Sequence, residues 1–428
     1  MATHLPDGAS RRRFVEESVL SVFFGWGYRE VITPIFEYLD ILSAGLSEDL
    51  LRKSYKFVDR ESGRLMILRP DITPQIARMV AGNLFDEPRP LRLCYYGNVF
   101  RHQEAHAGRE QESFQVGGEL VGPDSPSADS EILSIAVECL RSLGLRKFSI
   151  SLGHAGFLKG ILSGLPAGTE GPILEAISKR DISGIDALLD GNKSLKPFHE
   201  ILRRIPYLFG GEDVLSEAER WVGKLASLEA REAVSDLRQV YRKVCLSGYQ
   251  DVILVDLGEI RDRNYYTGLF FEVFAENVGY PLGRGGRYNH LIGRFGKECP
   301  STGFALEVET LVRVMEKQRV YSEGEGLDFL IADYSDTGEQ GIPLHRMLRE
   351  KGYRAAMEWM ERDPEEAVLY SKANDVRQLV VLGLPELEDD EILLFDIPNG
   401  RKMKRKKEEI LTQLQKVNRD ESRRRRAS

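Results

Sequence analysis

Apolar residues recur at helical spacing near the start of the chain. Phe14, Val15, Val19, Leu20, Val22 and Phe23 make one broad face and predict an amphipathic helix from Ser10 to Trp26. Gly25 and Gly27 end it, and the next run predicts a strand over Tyr28–Ile35, closed by Pro34. Tyr55–Asp59 and Arg64–Leu68 flank the polar turn Glu61-Ser62-Gly63 and read as a hairpin. LRPDITPQIARMVAGNL then combines a strand end, a proline turn and a helix, with Thr73 as its cap and Pro74 at its first position. On local pattern alone, Asp71 and Thr73 are capping residues.

Alternation returns over Leu91–Gly122, which reads as a second, longer hairpin. The loop between its strands carries Arg101, His102, Gln103, His106 and Arg109, and the chain returns through Phe114, Val116 and Leu120. A loop so rich in Arg, His and Gln suits an anionic or polar small molecule. Ser127–Leu143 reads as a helix with Ile132, Leu133, Ile135, Ala136 and Leu140 inward, and Phe148–Leu152 as a strand. From Gly156 to Ser247 the pattern is wholly helical and shows no chemistry; His154 and His199 read as structural or surface histidines. A strand returns at Val252–Leu257, and STGFALEVETLVRVMEKQ predicts a strand feeding a helix. Beyond a linker at Gly324–Gly326, strands and helices alternate as βαβαβ, the order of a small doubly wound α/β domain. After Asn399 the chain turns basic (RKMKRKK, later ESRRRRAS), which reads as a solvated, partly disordered end; a weak contact with an acidic partner or RNA is the alternative.

A chain of 428 residues exceeds one compact core and predicts two or three domains. Hydrophobic residues at 42% and charged residues at 29% are ordinary for a soluble globular protein. The net charge of −8 argues against a general nucleic-acid surface. No apolar run approaches the ~20 residues that span a bilayer, and MATHLPDGASRRRF lacks the apolar stretch of a secretory signal. Cys94, Cys139, Cys245 and Cys299 are scattered, which suits thiols in a reducing cytoplasm. The expectation is a soluble cytoplasmic protein with no membrane or nucleic-acid partner. There is no GxxxxGK[ST], no HExxH and no paired Cys/His spacing, and GRGGR at Gly283–Arg287 is not followed by the strand-turn-helix of a dinucleotide site. No cofactor or metal is expected.

Polar residues cluster at Asp71/Thr73, Arg101 to Glu119, Arg261 to Tyr266, and Arg284 to Tyr288. If these four segments converge, carboxylates can take an ammonium, Arg a carboxylate in a bidentate fork, and Glu or a tyrosine hydroxyl a side-chain nitrogen. That set suits a zwitterionic amino acid. Otherwise the segments line separate surfaces.

FRHQEAHAGREQESFQVGGE, with LRPDITPQIAR before it and RDRNYYTGLFFE and GGRYNHL after it, resembles the catalytic core of histidyl-tRNA synthetase. WGYREVITPIFEYLD resembles the dimer-forming first motif of that fold, and the resemblance covers residues 1 to about 320 in order. It implies an α+β class II synthetase-like antiparallel sheet with flanking helices, in two parts (1–155 and 249–322) around a helical insertion (156–248). An α/β domain (327–412) similar in layout to an anticodon-binding domain and a basic tail (413–428) would follow.

The departures fall on the nucleotide side. Gln103 stands where the synthetase's second motif has the Glu that recognises adenine, and Gln111 where it has a second Arg. Thr310 replaces the third motif's γ-phosphate Arg, and Glu307 replaces a Gly, so like charge opposes a polyanion. On the histidine side, Asp71 (a Glu in the synthetase), Thr73, Arg101, Gln115, Glu119, Arg261, Tyr265 and Tyr266 fall at contact positions, although Asp262 replaces a Gly and Asn264 an Asp. A retained amino-acid pocket beside a lost ATP pocket is similar to the regulatory subunits of ATP phosphoribosyltransferase. That resemblance implies a non-catalytic dimer, hetero-oligomeric with a short catalytic subunit, allosteric, and sensing histidine at the first step of histidine biosynthesis. The rivals are an active histidyl-tRNA synthetase and a tRNA- or kinase-associated binding module using the C-terminal domain.

Overall fold

The protein is described from a computed structural model, which covers residues 3–102, 111–225, 227–260, 265–320, 326–407 and 409. The chain divides into two compact units, Met1–Tyr321 and Ser322–Ser428. The first is built on a nine-stranded sheet among the described residues. Its spatial order is Arg29–Glu30, Leu91–Phe100, Glu112–Val121, Ser301–Glu307, Gly283–Arg287, Leu269–Ala275, Phe148–His154, Ile253–Asp256 and Phe209–Gly210. The central pairings are antiparallel; Arg29–Glu30 runs parallel to Leu91–Phe100, and Ile253–Asp256 parallel to Phe148–His154 but antiparallel to Phe209–Gly210.

Both faces of this sheet are covered, so its strands carry apolar residues on each side. Cys94, Val116, Phe271, Phe304 and Leu306 face the main core, packed with Val15 and Phe23 of the helix Pro6–Gly25 and Ile132, Ile135 and Leu140 of the helix Pro126–Ser142. The same core runs on through Phe157, Leu202 and Leu237 of the helical stretch. Leu93, Tyr95 and Val99 face the other way, onto Ile76 and Val80 of the helix Thr73–Asn83. Because strand side chains alternate in direction, Ser113, Gln115, Gly117 and Glu119 share that second face with Gly303, Ala305 and Glu307 of the neighbouring strand. Glycines and polar residues there leave a hollow where the opposite face is filled.

Several elements differ from the sequence expectation. The first helix begins at Pro6. Only Arg29–Glu30 of the expected strand Tyr28–Ile35 pairs. At Thr33 and Pro34 the backbone is held by side chains: Arg69 Nη1 donates to Thr33 O at 2.9 Å and Gln75 Nε2 to Pro34 O at 2.8 Å. Within the helical stretch, Phe209–Gly210 adds a short edge strand to the sheet. The small hairpin is present as Lys56–Val58 against Leu65–Leu68, extended by Phe36–Tyr38.

In the second unit, Ala355–Met357, Phe329–Asp333 and Gln378–Leu382 are parallel, and Glu391–Asp396 and Arg401–Lys406 continue the sheet antiparallel. The basic run Arg401–Lys406 is therefore an edge strand and not a solvated end. Gly400, at φ 61°, turns the chain; Met403 packs inward; Lys404 and Lys406 pair with Glu391 and Asp390. Lysines on an edge strand also discourage pairing with other chains. Beyond residue 409 the chain lies outside the described residues.

Candidate functional site

A cavity of about 380 Å³ opens in the hollow of the sheet. Asp71, Thr73, Arg101, Gln115, Tyr265, Tyr266 and Thr310 line it, as do Arg284, Gly286 and Tyr288 from the GGRY stretch. The four polar clusters thus converge. Arg287 does not join them; it points to the opposite side and pairs with Asp129 at 3.0 Å and Asp124 at 3.1 Å. Gln111 is exposed and outside the lining. Arg261, Gln103, His106 and Arg109 lie outside the described residues.

The floor is Glu119, buried (1% exposed) beneath the lining residues. Thr73 Oγ1 donates to its Oε1 at 2.8 Å, Tyr95 donates to the same oxygen at 3.2 Å, and the Tyr288 hydroxyl donates to Oε2. Thr73 is therefore not the helix cap expected from local sequence. It lies inside the helix, its side chain makes no capping bond, and its hydroxyl is turned to Glu119. Ile72 holds the cap position without a side-chain bond, and Asp71 just before it accepts from Thr73 N at 3.4 Å. The floor needs glycine beside it. Gly303 pairs with Glu119 across the strands, and a Cβ there would overlap Glu119 Oε2. At Gly117 a Cβ would meet Phe304 O and the Tyr95 hydroxyl.

Burial pushes the Glu119 carboxyl well above the usual glutamate range; the hydroxyl of Thr73 opposes this and the nearby Asp71 adds to it. Asp71 is also raised, chiefly by burial, with Arg101 pulling the other way. The Tyr265 hydroxyl is raised by burial and by Asp71, so it stays a neutral donor. Its ring stands 5.0 Å from Tyr266, edge on, and 5.6 Å from Tyr288. Two buried carboxyls with raised pKa values, framed by tyrosine faces, make a receptive place for an ammonium or imidazolium group. Gln115 Oε1 is buried without a hydrogen-bond partner, a further acceptor on the cavity wall.

The opposite wall belongs to Glu307. Its Oε1 lies 3.3 Å from Arg101 Nη1 and accepts from Gln115 Nε2 at 3.0 Å, while Oε2 accepts from Ser113 at 2.9 Å. Glu309 accepts from Phe114 N at 2.9 Å and lies 3.5 Å from Arg12; burial raises its carboxyl. Arg313 reaches the lining from the helix Val308–Lys317, one turn after Thr310, and donates to the Tyr280 hydroxyl at 2.9 Å. Sequence reasoning missed Ser113 and Arg313 as lining residues and Tyr95 as a hydrogen-bond partner of Glu119. Ser113 and Gln115 stand at the same two-residue spacing as the floor residue, the one signal that pointed to them.

His154 and His199 sit apart. His154 Nδ1 accepts from Gly156 N at 3.1 Å, capping a helix, and burial brings its pKa down to about 4. His199 Nε2 lies 3.1 Å from Leu189 O. Among the described residues, no group of three or more His, Cys, Asp or Glu is placed to hold a metal, and no helix is long and apolar enough to cross a membrane.

The sheet, its helix-covered face and its polar hollow define a class II aminoacyl-tRNA synthetase-like fold. Histidyl-tRNA synthetase from a Nostoc species superposes with a TM-score of 0.81 at 20% identity, covering 96% of this chain and 97% of that one. A Bacillus halodurans structure described as an ATP phosphoribosyltransferase regulatory subunit/histidyl-tRNA synthetase gives 0.77 at 24% identity, covering 89% and 96%. The family profile described as histidyl-tRNA synthetase matches residues 1–311. The ATP phosphoribosyltransferase regulatory subunit of Geobacter sulfurreducens is 37% identical over 412 residues, 96% of this chain and 93% of that one. The chain belongs to the histidyl-tRNA synthetase-like family of ATP phosphoribosyltransferase regulatory subunits.

Proposed function

We propose that this chain is a non-catalytic regulatory subunit that activates a short ATP phosphoribosyltransferase catalytic subunit in the cytoplasm and binds histidine as feedback inhibitor of the first step of histidine biosynthesis. The observation that carries the reading is the division of the cavity. One side offers Asp71, Glu119, Gln115 and the tyrosines to an amino acid. The other presents Thr310, Glu307 and Glu309 to any triphosphate, with Arg313 the cation on that side and already donating to the Tyr280 hydroxyl. The names of the relatives support the same role.

In this reading the ammonium and imidazole of histidine meet Asp71, Gln115, Tyr265 and Tyr266 above the Glu119 floor. Arg101, with Arg261, takes the carboxylate. Histidine inhibits only through unequal affinity for two states of the assembly. Self-association as a dimer is part of the proposal. Ile32 (87% exposed), Ile35 and Phe36 stand exposed on the segment resembling the first motif, beside exposed Phe57, Val58 and Leu65. An apolar cluster of this kind marks an interaction surface.

Histidine-dependent pyrophosphate–ATP exchange tests the non-catalytic half. The expected result is no exchange above background. A clear exchange signal would establish an active synthetase and overturn the reading.

A further inference from the structure

Glu307 ends the strand Ser301–Glu307 and occupies the cap position of the helix that follows, where an acidic side chain ordinarily accepts from the helix's first amides. It makes no such bond. Its carboxylate is turned to the hairpin instead, where both oxygens are engaged: Arg101 and Gln115 at Oε1, Ser113 at Oε2. Arg101 and Glu307 are 19% and 23% exposed, so the pair is partly shielded from water. Arg101 also spends its Nε on Pro70 O at 2.6 Å, which leaves the Glu307-facing end of the guanidinium as its remaining anion-binding edge.

We propose that Glu307 is a built-in oxyanion that occupies Arg101 and thereby decides what the cavity accepts. A ligand carboxylate or phosphate reaches Arg101 only by displacing the Glu307 carboxylate. A monoanion that also brings an ammonium to Asp71 and Gln115 offsets that displacement. A polyanion brings no ammonium to offset the displacement and meets a second carboxylate at Glu309; of the other cations in the lining, Arg284 is paired with Glu272 and Arg313 donates to the Tyr280 hydroxyl. Glu307 thus acts as a specificity-determining residue, binding no ligand itself. This rests on the reading of Arg101 as the anion anchor.

The test is isothermal titration of the full chain, unmodified and as Glu307→Gln and Glu307→Gln/Arg101→Met, with inorganic pyrophosphate and, separately, with L-histidine. Glu307→Gln should bind pyrophosphate about tenfold more tightly than the unmodified chain, the worth of one charge-assisted bond. The gain should vanish in the double variant. No gain, or a gain that survives loss of Arg101, overturns the proposal. Glu307→Ala is held to the same outcomes if the glutamine variant does not fold. The histidine arm separates this claim from the functional one. A pyrophosphate gain with no histidine binding keeps the Glu307 proposal and sinks the histidine reading. Histidine binding without a pyrophosphate gain does the reverse.

Discussion

At the scale of single residues the protein turns on Glu119 and what covers it. A carboxyl whose folded pKa is raised holds its proton longer in the folded chain. Its stabilising contribution is therefore complete below the unfolded value near 4.5 and is lost as pH rises through the folded value. Unfolding free energy should fall as pH climbs from about 4.5 towards the folded value, and Glu119→Gln should flatten the profile; urea midpoints measured from about pH 5 to 8 check this. Identical slopes in the two proteins would show that Glu119 is ionised at little cost. A cationic ligand reverses the preference, so histidine binding should release protons. Calorimetry in buffers of differing ionisation enthalpy reads that directly. Glu119→Ala should weaken feedback by histidine while leaving assembly intact, and unchanged sensitivity would mean that the pocket is a relic. Gly303→Ala, which sets a methyl against the Glu119 carboxyl, should cost about 1–3 kcal/mol in denaturant titration.

At the scale of elements, periodicity carried the helices and both hairpins, because alternation and helical spacing follow directly from which face is buried. It failed where side chains hold the backbone. Thr33 and Pro34 are fixed by Arg69 and Gln75, partners 36 and 41 residues away, so no local pattern shows that the strand stops at Glu30. Thr73 was misread for a related reason: the same hydroxyl can cap a helix or bind Glu119, and only the fold brings Glu119 within 2.8 Å. The basic run Arg401–Lys406 was misread because its charges outweigh Met403, its inward apolar residue, and its acidic partners, Asp390 and Glu391, lie at the start of the preceding strand, over ten residues away. A chain ending at Asn399 should lose hydrogen-exchange protection over Glu391–Asp396 while Phe329–Asp333 stays protected. Unchanged exchange at Glu391–Asp396 would deny the strand its role.

At the scale of the whole molecule, a sheet shared with class II synthetases carries a cavity whose two sides differ in character. That the YYTG and GGRY stretches and Arg101 would matter together was legible in the sequence, and all three contribute to the cavity lining. Convergence of the segments was not, since Asp71, Arg101, Tyr265 and Glu307 come together only through strand order. The dimer proposal has its own check: Phe36→Glu together with Phe57→Glu should lower the mass seen by sedimentation, and an unchanged mass would place the interface elsewhere. The central claim is tested by phosphoribosyl transfer to ATP, measured with a short catalytic subunit alone, with this chain added, and with histidine. The catalytic subunit should show little activity alone, strong activity on addition of this chain, and inhibition by histidine that Glu119→Ala relieves. A catalytic subunit equally active with and without the chain would contradict it.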